Sequence, residues 1–171
     1  TGATRVGTAI GLILDEIGWT AENFRQLDTG MGIPDFSADG TESALSLLEA
    51  LLTADLGSFF VDGDGMAVYR DRTRRWGVAY SATVDTLTGT TMADLHPRIS
   101  LDQIRNRARV TREGGAGPLE ANDVPSQETY GIRDHPAITT PYLFDDNQAT
   151  SLAAFLVALQ KRPRDPAREV A

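Results

Sequence analysis

Hydrophobic residues recur at three- and four-residue spacing near the start of the chain. Val6, Ile10, Ile13, Leu14 and Ile17 form one stripe, the period of a helix buried on one face. The pattern predicts a helix over 5–17 that stops at Gly18, with Trp19 folding back onto its end. Gly7 and Gly11 sit four apart within it. Each lowers helix propensity by roughly 1 kcal/mol relative to alanine, and together they offer a neighbour close approach. Residues 20–40 are less periodic: 23–27 reads as a short strand or turn, and Gly30, Gly32 and Pro34 mark an irregular loop. A second helix is predicted over 41–56, capped by Asp39 or Thr41, with Leu45, Leu48, Leu52 and Leu56 on one face and Gly57 as its stop.

Ser58-Phe59-Phe60-Val61 then runs into Asp62-Gly63-Asp64-Gly65, and Met66-Ala67-Val68-Tyr69-Arg70 runs out. This predicts a hairpin over 58–71 closed by an Asp-Gly type I′ turn, in which both central residues take positive φ. Residues 71–100 read as a connection with one or two short strands, with partial alternation over 78–84. A strand region follows over 99–110, broken near Leu101 and Asp102, with the strand itself near 104–112. Gly114, Gly115, Gly117 and Pro118 form a loop. Residues 119–126 are ambiguous, and 130–133 reads as a short extended piece. The last helix is predicted over 146–160, starting at Asp145 or Asp146, with Leu152, Phe155, Leu156 and Leu159 facing inward. Lys161 and Arg162 suit its negative C-terminal end, and Pro163 ends it.

The fold class is therefore α+β: a helix-loop-helix-β-hairpin unit over 1–85, a connection over 86–98, and a second α+β segment over 99–171 with strands and a C-terminal helix. One shared core and two separate cores both fit this pattern.

Composition narrows the function classes. With 171 residues of which 41% are hydrophobic, the chain can bury a core, and the composition argues against disorder over its whole length. The absence of cysteine removes disulfides, cysteine nucleophiles and cysteine zinc sites. No apolar run approaches the roughly eighteen residues of a membrane-spanning helix, and the N-terminus lacks a signal-peptide pattern. A start at Thr1 and a stop at Ala171 fit a segment of a longer polypeptide. The net charge of -8, with Lys161 the single lysine, is a poor footprint for nucleic acid, whose binding draws on a basic surface.

Candidate reactive groups each meet a simpler use. His96 and His135 both precede proline, which favours extended backbone, and neither belongs to a helix-borne ligand pair. No serine sits in a glycine-flanked elbow. Asp62 and Asp64 resemble the start of a calcium loop, but the twelfth position would be Thr73 in place of glutamate, and a hairpin tip does not give paired carboxylates the protected surroundings that separate their pKa values. Gly63 and Gly65 lead into a strand where a dinucleotide site needs a helix, and Lys161 lies in no phosphate-binding loop. No catalytic, cofactor-binding or metal-binding residue is assigned.

Two arginine clusters are more informative. Arg70, Arg72, Arg74 and Arg75 follow the hairpin beside Trp76. Arg105, Arg107 and Arg109 alternate with Asn106, Ala108 and Val110, which places three guanidinium groups on one strand face. Such faces serve as ion-paired solvated surface, as protein interface, or, against the acidic balance, as nucleic-acid contact. Trp19, Trp76, Tyr80 and Tyr142 are the candidate stacking residues for a carbohydrate, with core packing as their other use.

Three blocks carry a family resemblance. The first runs from Arg5 to Trp19, ending in Ile-Gly-Trp, with Arg25-Gln26-Leu27-Asp28-Thr29-Gly30 beyond. The second spans Ala44 to Arg72, through Asp55-Leu56-Gly57, Phe59-Phe60-Val61, Asp64-Gly65 and Tyr69-Arg70-Asp71-Arg72. The third is Asn106-Arg107-Ala108-Arg109-Val110-Thr111-Arg112, followed by Ser126, Tyr130-Gly131-Ile132-Arg133 and the helix from Ala149 to Leu159. In order and spacing these resemble minor tail or baseplate-hub-type proteins of long-tailed phages and actinobacterial prophages. The resemblance implies a non-catalytic structural fragment that works by packing with other tail or baseplate proteins, as a homo-oligomer when full length. It implies the virion tail as location, with the host cytoplasm during assembly, and no cofactor or membrane. A carbohydrate or cell-wall binding module carried on a tail is the alternative, and a cell-wall hydrolase using Asp62, Asp64 and His135 is the third reading.

Overall fold

The computed structural model describes residues 4–37, 41–76 and 101–163. The expected strand pieces over 78–84, together with Asp39, Tyr80 and His96, lie outside the described residues. The chain divides into two compact units: Thr1–Ser81 with Thr140–Phe144, and Ala82–Thr139 with Asp145–Ala171. Both mix helices and strands, as the α+β expectation required.

Unit 1 begins with the short strand β1 (Thr4–Arg5) and the helix α1 (Val6–Glu16). The predicted stripe is the buried face, with Val6, Ala9, Ile10, Ile13 and Leu14 in the core, while Ile17 lies beyond the helix and is exposed. Gly18 takes a φ of +82°; its N–H bonds the Asp15 carbonyl and that of Trp19 bonds the Leu14 carbonyl, the paired bonds of a Schellman stop. Trp19 packs against the core. The residues after Ala21 form a short 3-10 turn, β2 (Arg25–Leu27) and β3 (Gly32–Ile33); β1 pairs antiparallel with β3.

The second helix, α2 (Ala44–Asp55), departs from expectation in cap and face. Ser43 is its N-cap and accepts a hydrogen bond from the Ser46 N–H, so the start moves two residues past Thr41. Its buried face is Leu47, Leu48, Leu51, Ala54 and Asp55, whereas Leu45 is exposed. Leu56, not glycine, adopts the left-handed conformation, with φ 53°. Glycine is needed one residue later for space: a Cβ on Gly57 would stand 2.7 Å from the Tyr69 ring and 2.8 Å from the Arg70 carbonyl oxygen.

The hairpin forms as β4 (Ser58–Val61) and β5 (Ala67–Arg70), in the register Phe59 to Tyr69 and Val61 to Ala67. Its turn is not type I′, because among its glycines Gly65 alone has positive φ, at +80°. The Gly65 N–H bonds the Asp62 carbonyl, and Asp62 Oδ1 accepts from the N–H groups of Asp64 and Met66. The Asp62 side chain thus organises a longer loop closed by one left-handed glycine. The sheet order is β2-β5-β4, with β2 parallel to β5. Ala67 and Tyr69 of its central strand close the core against α1 and α2. Residues 72–76, expected as connection, form the short helix α3 (Arg72–Trp76).

In unit 2, Leu101–Gln103 is a 3-10 turn and β6 is Arg107–Arg112, so Ile104 and Arg105 precede the strand. The glycine loop returns the chain into β7 (Leu119–Asn122), antiparallel to β6. Residues 124–130 are helical: α4 (Val124–Tyr130), capped by Asp123 with Pro125 in its first turn. Tyr130 therefore ends a helix and does not open an extended piece. Asp-x-Pro was the local signal for that start. The last strand, β8 (Ile138–Thr140), completes the order β7-β6-β8. The last helix, α5 (Asp146–Gln160), is capped by Asp145 as expected. It packs on β6 and β7 through Ala149, Leu152, Ala153, Leu156 and Val157; Phe155 and Leu159 are only half-buried.

Candidate functional site

The first arginine cluster is built around a carboxylate. Arg70 ends β5, and Asp71 caps α3 by accepting from the Arg74 N–H at 2.8 Å. Asp28, just past β2, accepts from the Asp71 N–H and from Arg74 Nη1 at 3.0 Å, with Arg70 Nη1 at 3.6 Å. Arg70 also donates to Gln26 Oε1. The cluster therefore ties the end of β2 to the start of α3. Arg74 keeps about half of its side-chain surface accessible within the ion pair, 47%. Arg72 lies in α3 between them, while the side chains of Arg75 and Trp76 fall outside the described residues.

The second cluster divides. Ala108 and Val110 are buried on one face of β6, so Arg107 and Arg109 share the other. Both are paired there. Arg107 holds Asp134 through two bonds, Nε to Oδ1 and Nη2 to Oδ2 at 2.7 Å, and Arg109 Nε reaches Glu120 Oε2 at 2.8 Å. Arg105 does not join them, because it precedes the strand and its guanidinium donates to the carbonyls of Asp102 and Ile104. The Arg107 bond holds the Asp134 carboxyl below its usual range. Glu120 is held low by Asn122 and then by Arg109. The face is a pair of neighbouring ion pairs, Arg107 with Asp134 and Arg109 with Glu120.

Two buried polar centres were not legible in the sequence. Asn106 is fully buried, and its side chain donates to Ser126 Oγ and the Gly131 carbonyl while accepting from the Arg133 N–H. Ser126 Oγ in turn donates to the Lys161 carbonyl, and Lys161 Nζ pairs with Asp123 at 2.8 Å. One asparagine thereby links the entry to β6 with both ends of α4 and with the C-terminal end of α5. In unit 1 the buried Tyr69 hydroxyl donates to Asp55 Oδ2, and the Met31 N–H donates to Asp55 Oδ1. Burial pushes the Asp55 carboxyl up, partly offset by those two bonds. Burial and the Asp55 carboxylate push the Tyr69 hydroxyl up. Neither described groove reaches this pair.

The remaining candidates fall in different units. Asp62 and Asp64 belong to the hairpin turn of unit 1, and His135 belongs to unit 2, where its Nδ1 lies 2.7 Å from the Pro136 carbonyl. Among the described residues no cluster of three potential metal ligands exists, and no helix is long and apolar enough to cross a membrane. Tyr142 packs at a tilt on Phe36, ring centroids 6.0 Å apart. Trp19 lines a shallow groove with Ile17 and Ala21. A larger apolar groove of about 530 Å³ lies between α1 and α2, beside Leu12, Leu47, Glu16 and Glu42.

No protein-family model matches the sequence, and no curated protein matches it significantly. Solved structures do. The 43 kDa tail protein of prophage MuSo2 from Shewanella oneidensis is similar with a TM-score of 0.52 at 14% identity, over 92% of this chain and 44% of that one. A chain of the virion of the native gene transfer agent particle is similar with a TM-score of 0.58 at 17% identity, over 92% of this chain and 35% of that one. At these identities the likeness is one of fold, and the chain spans less than half the length of either protein.

Proposed function

We propose that the chain is a non-catalytic structural part of a phage-type tail, acting by protein–protein assembly at the tail tip or baseplate hub. The observation that carries this reading is the fold shared across 92% of the chain with a prophage tail protein and with a chain of a gene transfer agent virion. The residue chemistry is in keeping with it. Asp62 and Asp64 serve a turn, Asp55 and Tyr69 satisfy one another in the core, and the arginine faces are set in ion pairs that leave Arg74 and Arg109 accessible. Other tail or baseplate proteins and further copies of the chain are the expected partners. The virion tail is the expected location, reached from the host cytoplasm during assembly.

The test is immunogold electron microscopy of purified particles carrying the full-length protein, with an antibody against this segment. Label at the distal end of the tail is expected. Label on the capsid, or particles that lack the protein, would sink the reading.

The carbohydrate-module reading draws less support: of its two aromatics whose side chains are described, Trp19 lines a shallow groove and Tyr142 is taken up against Phe36. The hydrolase reading has its carboxylates and its histidine in different units.

A further inference from the structure

The groove between α1 and α2 carries two features that are unfavourable in the isolated chain. Leu12 and Ile17 beside it are each more than half exposed, at 52% and 55%. Glu16 and Glu42, both exposed, also line it, and among the described residues no basic side chain does. Glu16 occupies the last turn of α1, which holds no basic residue, so its charge faces the negative end of the helix. Its neighbour Asp15 is offset by Arg25 at 2.7 Å. Among the described residues, no cation pairs with Glu16 or Glu42.

One occupant relieves both features. Aliphatic side chains would cover Leu12 and Ile17, and flanking ammonium or guanidinium groups would meet the two carboxylates. We infer that this groove docks an amphipathic segment of another protein, apolar on one face and flanked by lysine or arginine. Charge selects that occupant over a second copy. Unit 1 carries six arginines against twelve carboxylates, half of the chain's 24 acidic residues with well under half of its 16 basic ones. An anionic lipid surface or a nucleic acid would be repelled for the same reason. The inference rests on the assembly reading for the partner being a protein of the same particle.

The test is NMR titration of the full 171-residue chain with a short amphipathic helical peptide of leucine and lysine, and with its leucine–glutamate counterpart. The lysine peptide should shift the amides of Leu12, Ile17 and Leu47, and added salt should weaken it. Glu16→Gln combined with Glu42→Gln should weaken it several-fold, on the scale of two exposed ion pairs, and Leu12→Ser should weaken it too. All three positions are exposed or half-buried, so an unchanged melting temperature verifies the fold of each variant. Absence of shifts, shifts confined to other surfaces, equal binding of both peptides, or indifference to the glutamine pair would each overturn the inference. These results are independent of the microscopy. Peptide docking without tail labelling would leave the groove standing and remove the assembly reading, and the reverse outcome would remove the groove alone.

Discussion

Tyr69 donates to Asp55 where neither side chain reaches water, so each supplies the other's polar partner. Tyr69→Phe removes that donor and leaves the carboxylate with the Met31 N–H, at an expected cost of about 1–3 kcal/mol in urea denaturation. The sign of the pH effect follows from the Asp55 shift. Its carboxyl is raised above the ordinary 3.8, so the folded state holds its proton more tightly than the unfolded state. Its contribution to stability therefore declines as pH rises from 3.8 through the folded value. Because the lost bond is one that lowers the pKa, Tyr69→Phe should move the Asp55 midpoint further up in a carboxyl-carbon NMR titration; a downward move contradicts the assignment. The two glycines of α1 make opposite predictions. A Cβ on Gly7 would lie 2.0 Å from the Asp28 carbonyl oxygen, whereas on Gly11 the nearest atom is Leu27 Cδ1 at 3.7 Å. Gly7→Ala should destabilise by at least the roughly 1–3 kcal/mol of core overpacking. Gly11→Ala should gain up to about 1 kcal/mol of helix propensity. Thermal melts of the two variants separate them.

Among elements, β6 depends on a residue at its edge more than on the arginines it displays. Asn106→Ala leaves the Gly131 carbonyl and the Arg133 N–H without their partner, and about 2–4 kcal/mol should be lost from those orphaned groups. Arg107→Ala breaks an exposed pair and should shift the melting temperature far less. Equal losses in the two variants would mean that the arginine face, not the asparagine, holds the unit together. Local pattern explains which elements were legible. The stripe of α1 and the cap of α5 are written in consecutive residues. The face of α2 was not legible because its leucines satisfy two helical stripes, and the choice between them came from the packing of α1 and β5 around Leu47 and Leu51.

For the molecule as a whole, acid should be destabilising through the surface lattice of unit 2. Asp134 is held low by Arg107, Glu120 by Asn122 and Arg109, and Asp123 by Lys161 and the Ser126 N–H. Carboxyls depressed in this way contribute stability that is complete above their unfolded values and is lost as pH falls through their folded values. Urea midpoints should therefore drop below the ordinary carboxylate range, and high salt should flatten the slope. Asp134→Asn should remove part of it. A slope unchanged in that variant would assign the acid sensitivity elsewhere.

The sequence by itself determined the α+β class, both flanking helices and the hairpin, because each rests on spacing within a few residues. Only the tertiary structure decided that Asp55 meets Tyr69 across 14 positions, that Asn106 reaches Gly131 across 25, and that Arg107 is held by Asp134 across 27. It also decided that a groove between α1 and α2 is bordered by Glu16 and Glu42, which no cation among the described residues meets. The burial and pairing of a polar side chain depend on which distant segment the fold brings against it, and no local period records that.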